Sequence, residues 1–142
     1  MQKGWKGKYM VEAQKGLVMY YVHEEHKRMQ IEVLCIRVGL QTKYLKASDI
    51  NEPIGKLAEI RGLKLPEAPQ EKAPIVFAVP EILIFSGLSN KKLDEFLAAY
   101  KAAGLEKIEL KAVLTSQNIR WTLYQLIQEI RKEREKIEVP AK

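Results

Sequence analysis

A single cysteine and two histidines in a chain of 142 residues leave little room for several common chemistries. Cys35 alone admits no internal disulfide, which suits a reducing compartment. A zinc site asks for more firm ligands than His23-Glu24-Glu25-His26 offers, and Cys35 lies three turns further along the same helical pattern. Acids at a helix start, facing the helix dipole, account for that tetrad without a metal. Cys35 sits inside an apolar helical stretch, where a free thiol behaves as a small hydrophobe rather than a nucleophile. There is no glycine-rich phosphate loop of either standard pattern. The longest apolar runs, Leu17–Val22, Ile75–Val79 and Ile82–Phe85, are far too short to span a bilayer. No apolar core directly follows the basic N-terminus, so no signal peptide is read either. These absences assign no catalytic residue, no metal and no cofactor, and they point to a cytoplasmic protein without a membrane segment.

What is present is a template used twice. Residues 17–47 and 82–112 each run apolar strand, helix, Gly-Leu, second strand, in constant register. Gly39-Leu40 corresponds to Gly104-Leu105, and Leu45-Lys46-Ala47 to Leu110-Lys111-Ala112. Shortly after, each copy reaches an asparagine, Asn51 or Asn118, and the start of another helix. Alternating strands and helices predict an α/β layer structure. The first strand of each repeat is apolar on both faces and belongs at the sheet centre; the second alternates and belongs at a rim. The strand order 2-1-3-4 in a parallel sheet, with right-handed crossovers and two helical segments on each face, meets these demands best. A ferredoxin-like antiparallel sheet of order 4-1-3-2 is the alternative.

The organisation that follows is a basic arm over residues 1–15, one α/β domain over 16–137 and a short tail over 138–142. Within the domain, the repeats cover about 16–62 and 81–134 and are joined by a proline-rich connector over 63–80. In the connector, Ile75–Val79 is too apolar for a free linker and is expected against the core or as an edge strand. The first long helix is expected from Glu24 to Val38, with Met29, Val33 and Ile36 as its buried stripe, widened by Leu34, and with Gly39 as a left-handed C-cap. Ser89 or Asn90 caps the second. The last helix has the strongest start signal: Thr122 and Gln125 at capping-box spacing, bracketed by Trp121 and Leu126 as a hydrophobic staple.

Pro80-Glu81-Ile82-Leu83-Ile84-Phe85-Ser86-Gly87-Leu88-Ser89, then Leu110-Lys111-Ala112-Val113-Leu114-Thr115, Asn118 and Trp121-Thr122-Leu123, resemble a bacterial family, the domain of unknown function 3783. The resemblance covers roughly Pro80 to Glu133, and the first repeat looks like the segment that precedes such domains. It implies a bacterial, cytoplasmic protein and transfers no activity. The arm over residues 1–15 departs from the pattern.

Three functional readings stand side by side. The first is a non-catalytic interaction or regulatory module working through a protein partner or self-association. The second is a nucleic-acid or ribosome-associated protein. Its support is the formal charge of +6 and a basic arm in which Trp5 stands among Lys3, Lys6 and Lys8, a mixture that can stack on bases and pair with phosphates. The third is a small anionic ligand or enzymatic site. In a parallel sheet a crevice opens at the carboxyl ends of the two central strands, where His23 meets Ser86, Gly87 and Ser89. There the glycine admits a ligand to the backbone, and the helix start offers free amides to an anion.

Overall fold

The computed structural model describes the backbone of residues 16–64 and 72–138, with side chains as far as Arg134. The basic arm, including Lys3, Trp5, Lys6 and Lys8, lies outside the described residues, as do connector residues 65–71 and tail residues 139–142. The described elements are β1 (Leu17–Tyr21), α1 (Glu25–Val38), β2 (Gln41–Tyr44), a short 3-10 turn (Ala47–Asp49), α2 (Ile54–Leu57), β3 (Ile82–Ser86), α3 (Asn90–Ala102), β4 (Leu110–Val113) and α4 (Leu123–Glu138).

The strands form one open α/β sheet of order β2-β1-β3-β4. The order is the expected one, with the two apolar strands central and the two alternating strands at the rims. The directions differ from the all-parallel expectation. β1 pairs with β2 in parallel, and β3 with β4 in parallel. At the centre, however, β1 and β3 run antiparallel, with Leu17 opposite Ser86, Met19 opposite Ile84 and Tyr21 opposite Ile82. The sheet is therefore mixed. Each β-α-β unit is a parallel crossover, and the two units meet head to tail, so that the order reads alike from either edge.

The described end of the connector, residues 72–80, accords with this direction. Phe77 packs edge-on against Tyr124 of α4. The chain then enters β3 beside the carboxyl end of β1, where the His23 amide donates to Glu81 Oε2 at 2.9 Å and His23 Nε2 lies 3.0 Å from the Val79 carbonyl oxygen. A strand that begins where its neighbour ends must run the other way. Phe77 and Val79 lie against the body of the protein as expected, but Ile75 and Val76 are fully exposed, and the segment forms no edge strand among the described residues.

Alternation along β1 and β3 feeds two apolar layers. On one face Val18, Tyr20, Leu83 and Phe85 meet α1 and α3 through Ile31, Leu34, Cys35, Phe96 and Tyr100. On the other, Met19, Ile82 and Ile84 meet α2 and α4 through Ile54, Leu57, Leu123, Leu126 and Ile127. Two helical segments cover each face, and both central strands are buried on both sides.

The helix ends follow the local chemistry. Gly39 sits at φ +83° and donates back to the last turn of α1, and Leu40 closes the motif from within the core. Ser89 caps α3, its hydroxyl accepting from the Lys92 amide at 3.1 Å. Thr122 and Gln125 exchange both capping-box hydrogen bonds at 3.1 Å. The two asparagines do different work. Asn118 is buried and closes the turn after β4 on Thr115 and Val113, whereas Asn51 accepts from the connector amide of Ala73.

Candidate functional site

The antiparallel centre separates the residues expected to share one crevice. His23 follows β1 and lies at one end of the sheet; Ser86, Gly87 and Ser89 follow β3 and lie at the other. Two clefts take the place of one. The first, of about 660 Å³, is lined by His23, Glu24, Glu81, Lys107, Arg131 and Arg134 among others. The second, of about 490 Å³, is lined by Gly16, Gly39, Leu40, Gly87, Leu88, Ser89 and Lys92.

Glu81, which lines the first cleft, forms an ion pair that sequence reasoning missed. Lys27 Nζ stands 2.7 Å from Glu81 Oε1, and the lysine side chain is only 6% exposed. The Glu81 carboxyl is partly buried, which by itself raises its pKa. The His23 amide and the Lys27 ammonium outweigh burial and hold it below its ordinary value. A signal for Lys27 was present in the sequence, since it lies four residues before Ile31 and hence on the inward face of α1. In the second cleft the cap of α3 is closed by Ser89, and Lys92 Nζ is bound to the Val38 carbonyl oxygen at 2.7 Å. Gly87 adopts φ +75°, so the turn itself requires a glycine.

The remaining reactive side chains are built into the body of the protein. Burial pushes the Cys35 thiol up to about 12, which keeps it protonated near neutrality. Burial, reinforced by a hydrogen bond to Glu32, raises Tyr20 well above an ordinary phenol. Tyr100 is pushed up to about 12, chiefly by burial, and donates to the Glu106 carbonyl oxygen. Among the described residues, no group of three His, Cys, Asp or Glu side chains gathers closely enough to hold a metal ion. No described helix is long and apolar enough to cross a membrane.

The outer face of α1 overturns the expectation for that helix. Met29, Val33 and Ile36 face outward and are 59%, 53% and 74% exposed. The buried stripe is instead Lys27, Ile31, Leu34 and Cys35. The helix carries two apolar stripes, and the second is satisfied by the sheet. Beside the exposed stripe runs a shallow groove of about 270 Å³ lined by His26, Met29, Gln30, Val33, Leu34, Arg37 and Ala103.

Residues 81–137 match the model of a family described as a domain of unknown function (DUF3783), in agreement with the resemblance carried by Pro80–Glu133. No curated protein and no solved structure matches the chain.

Proposed function

We propose that this protein is a non-catalytic interaction module that docks a protein partner on the outer face of α1. The observation that carries this reading is the row Met29, Val33 and Ile36, each more than half exposed at i, i+4 and i+7 on one helix. Isolated apolar residues on a surface need no explanation, but a contiguous stripe at helical spacing is the pattern by which helices engage partners.

The two-fold sequence pattern supplies an internal comparison. The register that sets Gly104 on Gly39 sets Asp94, Ala98 and Lys101 of α3 on Met29, Val33 and Ile36 of α1. The two helices have like places in the fold, packed side by side over the same face of the sheet. At corresponding positions α3 carries a solvent-suited surface and α1 an apolar one, so the scaffold alone does not call for the stripe.

A photo-reactive side chain placed at position 33 in cells should form discrete protein adducts, and the same side chain at position 98 should not. Equal adducts at both positions, or none at position 33, would overturn the reading.

A further inference from the structure

The groove beside the exposed stripe has a chemistry that narrows the partner. α1 and α3 run antiparallel: Lys27 at the start of α1 reaches Glu106 beyond the end of α3, and Lys92 at the start of α3 reaches the carbonyl of Val38 at the end of α1. The groove lies along α1 where the end of α3 approaches it. Its floor and walls are Met29, Val33, Leu34 and Ala103, and its polar rim is His26, Gln30 and Arg37. No carboxylate lines it. Arg37 is exposed and has no carboxylate partner among the described residues, whereas the other basic side chains of α1, Lys27 and Arg28, each lie beside a glutamate.

We infer, building on the reading of α1 as a docking face, that the groove receives an acidic amphipathic helix: apolar side chains at helical spacing on Met29, Val33 and Leu34, with a flanking carboxylate on Arg37. An arginine guanidinium suits this task because its planar fork receives a carboxylate at two points. Opposite charge at the rim selects among amphipathic helices that the apolar floor alone would accept alike. The corresponding stretch of α3 carries Lys91, Glu95, Ala99 and Ala102 in the places of His26, Gln30, Leu34 and Arg37, and so has neither the floor nor the unpaired cation.

The test uses the full chain and two fluorescent synthetic peptides of about four helical turns. Both carry leucines at i, i+4 and i+7; one is flanked by glutamates and the other by lysines. Fluorescence anisotropy in low-salt buffer should show the glutamate peptide binding about tenfold or more tightly than the lysine peptide. Arg37→Glu should reverse that preference, Val33→Glu should abolish binding of both, and Ala98→Glu on α3 should change nothing. All these positions are exposed, and an unchanged circular dichroism spectrum confirms folding. Failure of the glutamate peptide to bind, equal binding of both peptides, or indifference to Val33→Glu overturns the inference. Sedimentation velocity across concentrations adds a separating arm. Self-association that Val33→Glu abolishes would make a second copy the occupant, overturning the acidic-helix inference while leaving α1 as the docking face. A strictly monomeric chain that binds neither peptide but still forms adducts at position 33 would also overturn only the inference.

Discussion

Lys27 places an ammonium where β1 gives way to α1, and Glu81 answers it from the start of β3 at 2.7 Å, with Glu106 further off at 3.8 Å, so one lysine links the two repeats. Removing Glu81 leaves the buried Lys27 ammonium with only the exposed Glu106 carboxylate, 3.8 Å away. Glu81→Gln should therefore lower stability at neutral pH by about 1–3 kcal/mol, measured by urea unfolding. The combined Lys27→Met and Glu81→Leu variant should recover most of the loss, since well-packed apolar residues replace a buried pair at little cost. The dependence on acidity has a definite sign. The Glu81 carboxyl is depressed in the folded protein, so the unfolded chain takes up its proton more readily. Its contribution is complete above the unfolded value of about 4.3 and is lost as pH falls through the folded value. The gap between wild type and Glu81→Gln should thus close as pH falls below about 4. In the sequence Lys27 was marked only by its spacing to Ile31, a signal outweighed because charge normally points to solvent; its burial depends on a glutamate far along the chain.

At the scale of the element, α1 separates two apolar stripes that periodicity treats alike. Met29, Val33 and Ile36 fit a helical repeat, and so do Ile31, Leu34 and Cys35. Only contact with Val18, Tyr20 and Phe85 distinguishes them. Thermal or urea unfolding should register the difference. Val33→Ala should change stability by no more than about 0.5 kcal/mol, whereas Ile31→Ala should cost about 2–5 kcal/mol. Capping, by contrast, was legible residue by residue, because its hydrogen bonds join neighbours in sequence. Thr122→Ala should destabilise the protein by about 1 kcal/mol, and Thr122→Ser should retain most of the stability. Thr122 also bridges Pro53, so the start of α4 is tied to the segment that opens α2, and the loss should be seen at both places by amide hydrogen exchange.

For the whole molecule, the central antiparallel pair makes each repeat the other's partner. β1 and β3 pair along their length at the centre of the sheet, and the apolar cluster on each face draws side chains from both repeats, so separating the repeats exposes a central strand edge and part of both apolar layers. Residues 1–64 and 65–142, produced separately, should each lack dispersed amide resonances, and mixing them should restore the spectrum of the intact chain; a well-dispersed spectrum from either half alone would contradict this account. The sequence by itself determined the α/β class, the central place of the two apolar strands and the helix caps, since each of these depends on local hydrogen bonds or on how much of a strand must be hidden from water; it favoured the order 2-1-3-4 over 4-1-3-2, but both orders bury the same two strands, and tertiary structure chose between them. The relative direction of β1 and β3 was decided only by tertiary structure. Either direction buries the same side chains; in the antiparallel one, β3 starts beside the end of β1, where His23 meets Val79 and Glu81. With that choice the expected crevice between His23 and Ser86-Gly87-Ser89 became two clefts at opposite ends of the sheet. Packing likewise decided which stripe of α1 faces the sheet, leaving Met29, Val33 and Ile36 outside, because a helix with two apolar faces can bury only one of them against a single sheet.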